Sequence, residues 1–114
     1  MRKVTAEIVK AWARGDSLTV GNTSTNGFEI YLHGNEIVHK CKGEVIGLTL
    51  AGWPTVTTRE RLNGVLNFYG IKYRFAQRNF EPVLILGRDV IEISEFETVY
   101  FNISTQRLTD PATA

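Results

Sequence analysis

The side chains best suited to metal binding or nucleophilic attack are the two histidines, His33 and His39, and the single cysteine, Cys41. His39 and Cys41 stand two apart on a segment that reads as a strand, so they share a face and could both touch a metal. His33 and a carboxylate such as Glu36 or Glu44 would have to complete the set, whereas structural zinc sites present paired, closely spaced cysteines and histidines. As a Cys–His nucleophile pair the two are awkward, because strand residues i and i+2 lie roughly 6.5 Å apart at the backbone. Paired carboxylates would come from Asp89, Glu92, Glu95 and Glu97, and a solvated edge-strand face accounts for these without a reaction. The glycine-bounded run GNTSTNG at 21–27 lacks the lysine and the strand–helix setting of a phosphate loop, and no dinucleotide fingerprint occurs. We therefore expect no catalytic residue, no metal site and no cofactor.

Basic residues make the stronger pattern. The net charge is +1, from 13 basic and 12 acidic groups, which gives no global attraction to nucleic acid or anionic lipid. The distribution is uneven. Residues 57–80 carry Arg59, Arg61, Lys72, Arg74 and Arg78 against Glu60, five cations less one anion, or +4. Residues 81–114 carry Arg88 and Arg107 against Glu81, Asp89, Glu92, Glu95, Glu97 and Asp110, two cations less six anions, or −4. Lys72, Arg74 and Arg78 recur at even positions, opposite Ile71, Tyr73 and Phe75, so a strand would project them together. Thr57 and Thr58, with Thr55, offer hydroxyls and backbone N–H groups at a helix start, a setting that suits phosphate. The expected nucleic-acid-binding set is Thr57, Thr58, Arg59, Arg61, Lys72, Arg74 and Arg78, holding DNA or RNA by salt-sensitive phosphate contacts, with Tyr31, Trp53 or Tyr69 available for stacking. The alternative is a protein partner docked on this basic surface or on the acidic 81–97 region.

The elements that must position these groups follow from periodicity. Val4, Ile8, Ala11 and Trp12 share one face of a helix over about 3–14, stopped by Gly15. GNTSTNG reads as a loop. Phe28, Ile30 and Leu32 alternate with Glu29, Tyr31 and His33 as a half-buried strand, and the turns His33-Gly34-Asn35 and Lys42-Gly43-Glu44 lead into strands at Ile37–Cys41 and Val45–Leu50. Thr57-Thr58-Arg59-Glu60 matches a capping box, Leu62, Val65, Leu66 and Tyr69 form the apolar face of the helix behind it, and Gly70 ends that helix. Trp53, just before Pro54, is expected to seal the helix against the sheet. Strands resume through Ile71, Tyr73 and Phe75, then at Val83–Leu86, Val90–Ile93 and Val99–Ile103. The fold class is α+β: antiparallel sheet or sheets with two helices, in the order helix, three strands, helix, three or four strands. We expect one domain over 1–104 and a flexible tail over 105–114. The terminal strand 98–103 would be the edge at which a homodimer could pair.

A chain of 114 residues with 43% hydrophobic content can bury one modest core. One cysteine excludes an intrachain disulfide and suits a reducing compartment. The absence of a continuous apolar segment near the N-terminus, or of any run near 20 apolar residues, points to a soluble, cytoplasmic protein without a membrane partner.

The stretch 32–66 resembles small proteins of tailed bacteriophages. It carries His33-Gly34-Asn35, then Gly52-Trp53, Thr55, Thr57-Thr58-Arg59 and Arg61-Leu62-Asn63. The resemblance implies a phage-encoded protein working in the host cytoplasm, with a bacterial enzyme such as a polymerase or nuclease as the protein target. The order helix, three strands, helix is also similar to the double-stranded RNA-binding domain, in topology alone, because Thr57-Thr58-Arg59-Glu60-Arg61 replaces that family's lysine-rich helix start.

Overall fold

The computed structural model describes residues 2–111. Its α+β architecture has two helices and two antiparallel sheets, one of seven strands in the order β1-β2-β3-β4-β5-β9-β10 and one of three, β6-β7-β8. The first helix, α1, spans Lys3–Arg14 and buries Ile8, Val9, Ala11 and Trp12. Gly15 ends it in the left-handed region at φ 81°, and the Asp16 N–H closes the end on the Ala11 carbonyl. Lys40 reaches the same end: its Nζ donates to the carbonyls of Trp12 and Gly27 at 2.7 and 2.9 Å and lies 5.2 Å from the Trp12 ring centre.

The polar run at 21–27 is not simply a loop. β1 (Leu18–Val20) and β2 (Thr23–Thr25) form a hairpin around Gly21-Asn22 that extends the sheet beyond β3 (Glu29–Leu32). Threonine is β-branched and suits a strand, and its hydroxyl tolerates burial once bonded. Thr25 Oγ1 donates to the Glu29 carbonyl and accepts from the Gly27 N–H, while Thr23 Oγ1 accepts from Arg61. His33 and Gly34, at φ 51° and 79°, make the tight turn into β4 (Asn35–Lys40), which pairs with β5 (Val45–Thr49).

The second helix, α2 (Val56–Phe68), starts earlier than the capping box places it. Thr55 is the N-cap and accepts the Thr58 N–H at 3.1 Å. Glu60 does not turn back to Thr57, because it has charged and hydroxyl partners elsewhere. Leu62, Val65 and Leu66 are buried as the spacing predicts, and Gly70 (φ 68°) follows the helix end.

β6 (Arg74–Arg78), β7 (Glu81–Leu86) and β8 (Asp89–Glu92) form the smaller sheet, which contributes Phe75 and Leu84 to the common core. Asn63 of α2 covers the outer edge of β6 by donating to the Phe75 carbonyl at 2.9 Å and accepting its N–H at 2.7 Å. The chain then returns to the large sheet as β9 (Thr98–Asn102), which inserts between β5 and the short β10 (Arg107–Leu108). Strand 98–102 is paired along one side by β5 and at Phe101 and Asn102 on the other by β10, so it is not the fully free edge expected for self-pairing. β10 falls within the segment expected to be a tail, and residues 112–114 of that tail lie outside the described residues.

Helix-to-helix and helix-to-sheet docking converge on Arg61, which is 5% exposed. Its guanidinium donates to Thr23 Oγ1 and Thr5 Oγ1, each at 3.0 Å, and to Glu60, while Glu60 also accepts from the Thr5 hydroxyl and the Arg2 N–H. One buried cation thus ties α2 to α1 and to β2. Burial pushes the Glu60 carboxyl up, but the hydrogen bonds from Thr5, Arg2 and Arg61 and the Arg61 charge outweigh it, leaving its pKa lowered. Arg61→Ala removes the cation beside the half-buried Glu60 carboxylate and one hydrogen bond to each of two buried threonine hydroxyls, and is expected to destabilise the fold by about 2 kcal/mol, read from urea midpoints. A carboxyl with a lowered folded-state pKa adds stability above its unfolded value and loses it as pH falls through the folded one. Glu60→Gln should therefore shrink the loss of stability on acidification, measured by urea titrations stepped downward from neutral pH.

Candidate docking site

The residues expected to hold phosphate are not gathered on one surface. Arg61 is buried in the network above, so it cannot meet a nucleic-acid backbone without unfolding its site. Thr58 is also buried, with its N–H and hydroxyl engaged by Thr55. Thr57 is half-buried. Arg59 lies along the helix, with Nη1 donating to the Pro54 carbonyl at 2.9 Å and to Gln77 Oε1 at 3.2 Å. Lys72, Arg74 and Arg78 are exposed. The start of α2 and strand β6 are neighbours, as the basic-surface reading requires, through Arg59–Gln77 and Asn63–Phe75. Strand alternation nevertheless sends Arg74 and Arg78 to the face opposite Gln77. Register places Glu81 against Arg78 on that face, and Glu92 two strands across from Ala76, so acidic groups interleave with the cations.

Trp53 is 58% exposed and does not seal the helix. Trp12, fully buried, is the large indole of the core, and its Nε1 donates to the Phe28 carbonyl at 2.8 Å. The turn before α2 explains the difference. Leu50 takes the buried position, Ala51 and Gly52 both adopt positive φ (54° and 80°), and the Trp53 N–H returns to the Leu50 carbonyl at 2.9 Å. That reversal throws Trp53 outward. Of the stacking candidates, Tyr69 packs edge-on against Trp12 at 6.0 Å and Tyr31 donates to Glu29, which leaves Trp53 the most open.

Beneath Trp53 lies a cleft of about 460 Å³. One wall is the β3–β4 hairpin, with Leu32, His33, Asn35 and Ile37; the other is the start of α2, with Leu50, Thr55, Thr57 and Thr58. Leu32, Ile37 and Leu50 make an apolar floor, and the threonines and Asn35 supply polar groups at its margin. Phe96, 74% exposed, lies over Gly52 so closely that a Cβ there would meet its Cε1 at 2.7 Å. The Gly52 N–H donates to the Glu95 carbonyl at 2.8 Å, binding the acidic segment that carries Phe96 to the Trp53 turn.

Such a cleft can grip an apolar side chain and orient it by hydrogen bonds. Cys41 lies elsewhere, at the end of β4, and burial pushes its thiol up, away from the thiolate form. The His39 ring covers Gly47, lies edge-on to Tyr100 at 6.1 Å, and has Nδ1 3.6 Å from Glu36. Among the described residues, no group of three or more His, Cys, Asp or Glu is placed to share a metal, and no helix is long and apolar enough to cross a membrane. Phe96 is a functional candidate that pattern reading overlooks. The available signal was a lone aromatic flanked by Glu95 and Glu97, where neither strand nor helix periodicity asks for one.

A family model described as Kyanoviridae Gp96 protein matches residues 1–105, which include every residue of the cleft and its rim. No curated protein and no solved structure matches the chain.

The two indoles should separate in solution. Trp53→Phe is expected to leave blue-shifted emission that iodide quenches weakly, from Trp12. Trp12→Phe should leave red-shifted, readily quenched emission from Trp53, unless that substitution unfolds the core, which circular dichroism would reveal. Equal quenching of both variants would contradict the outward placement of Trp53.

Proposed function

Since the chain belongs to the Kyanoviridae Gp96 protein family, a family of tailed-bacteriophage proteins, we propose that it is a nonenzymatic accessory protein that docks on a bacterial host protein through the Trp53 cleft. The observation that carries this reading is exposed Trp53 lining an apolar-floored cleft, with exposed Phe96 packed over the adjoining Gly52. Contiguous apolar surface held in water is costly, at about 25 cal/mol per Å², and on small proteins it marks interaction sites. Tryptophan is among the residues whose truncation most weakens protein interfaces. The fitting partner presents a large apolar side chain to enter between Trp53 and Ile37, flanked by basic residues that meet Glu95 and Glu97 at the rim. A polymerase or nuclease of the host is the class of target proposed.

A second reading keeps nucleic acid as the ligand, and one observation favours it. Phe80 stands 92% exposed at the tip of the β6–β7 hairpin, in the left-handed region at φ 65°. A large apolar residue at such a position is unfavourable both to solvate and to hold. With Arg78 beside it and Arg74 and Lys72 behind, the hairpin resembles the wedge-and-cation arms by which some proteins enter a groove between base steps. This version uses Lys72, Arg74, Arg78 and Phe80, without Arg61 and Thr58.

Two variants separate the readings: Trp53→Ser/Phe96→Ser and Arg74→Glu/Arg78→Glu. Each is used to capture proteins from host extract and is titrated with labelled duplex DNA, single-stranded DNA and structured RNA at about 50 and 200 mM salt. The docking reading expects a discrete captured protein that the first variant loses and the second retains. Salt-sensitive nucleic-acid binding lost only by the second variant, with no capture dependent on Trp53, would overturn docking in favour of the hairpin.

A further inference from the structure

The two long edges of the smaller sheet are treated differently. Asn63 covers the β6 edge by bonding both backbone groups of Phe75. At β8 every residue is exposed, and the strand contains no proline or lysine to discourage pairing. Hydrogen-bond phase shows what this edge offers. The Ile93 N–H donates to the Pro82 carbonyl, so Ile93, Ile91 and Asp89 direct their backbone groups toward β7. Val90 and Glu92 consequently turn their N–H and C=O groups outward, and among the described residues no backbone partner meets them there.

We propose that this edge pairs antiparallel with β8 of a second copy, about a two-fold axis at Val90, joining two three-stranded sheets into one of six strands. Phase allows only registers in which outward-facing residues oppose one another. Centring on Asp89 sets two carboxylates face to face, which is repulsive. Centring on Ile91 places Glu92 against Val90, leaving its charge without a partner. Centring on Val90 places Val90 against Val90, and Arg88, in the turn entering β8, against Glu92 of the second copy, twice over by symmetry. No like charges then stand directly opposed. This surface is separate from the Trp53 cleft, so it does not depend on the function proposed above.

Sedimentation velocity on the full chain, over a concentration series, tests the proposal. Wild type should show a monomer–dimer equilibrium. Val90→Pro removes an outward N–H without breaking a β7 bond, and should abolish the dimer. Glu92→Arg sets cation against Arg88 and should weaken dimerisation at least about tenfold, while Arg88→Glu/Glu92→Arg restores it. Trp53→Ser/Phe96→Ser should leave the dimer intact. A wild type that stays monomeric at millimolar concentration overturns the proposal, as does a dimer indifferent to Glu92→Arg. If Val90→Pro unfolds, the charge-reversal pair and its rescue still decide the matter.

Discussion

A buried guanidinium is the constraint on which much of this structure depends. Arg61 sits where α1, α2 and β2 meet, and taking its charge out of water is tolerable only because Glu60, Thr5 and Thr23 all bond to it. Those bonds have direction, so they orient the helix as well as neutralise the ion. Arg61 follows Thr57 and Thr58 by four and three residues, so the helix face that it anchors against β2 also carries the threonines lining the cleft, with the β3–β4 hairpin as the other wall. An apolar residue in the same position would fill the volume but would not specify the angle at which the helix lies.

That network also explains where pattern reading succeeded and where it did not. Apolar periodicity locates α1, the alternation of β3, and the Leu62-Val65-Leu66 face, since each depends on local geometry and on burial of carbon. The hairpin β1–β2 escapes that logic because Thr23 and Thr25 are polar residues in buried places, made acceptable by hydrogen-bond partners, which for Thr23 include Arg61 far along the chain. Helix geometry already turns Arg61 partly away from Arg59, two residues before it, but its burial depends on Thr5 and Thr23, partners that no local pattern supplies. Trp53 and Trp12 are both flanked by small or apolar residues, and the turn at Ala51-Gly52 decides which is thrown out. The candidate site was thus partly visible, as Trp53, Thr57 and the hairpin turn, while Phe96 enters it across a contact that no local pattern encodes.

The charge segregation along the chain does not persist in three dimensions. The arginines of β6 share a surface with the glutamates of β7 and β8, so cations and anions lie interleaved across the smaller sheet. Such a surface has a weak long-range field and a strongly patterned short-range one, better suited to fixing register than to capturing a polyanion.

The return of β9 to the large sheet carries a kinetic consequence. Pairing of Thr49 with Thr98 closes a long chain segment that contains α2 and the whole three-stranded sheet. The meander β3–β5 can form from near neighbours, but the far side of β5 has to wait until everything between has been made and folded back. Until then Val45–Thr49 presents an unpaired, largely buried-type strand to its surroundings. During synthesis on a ribosome that interval lasts for as long as the intervening chain takes to emerge, and an unpaired strand edge of this kind is where wrong pairings start.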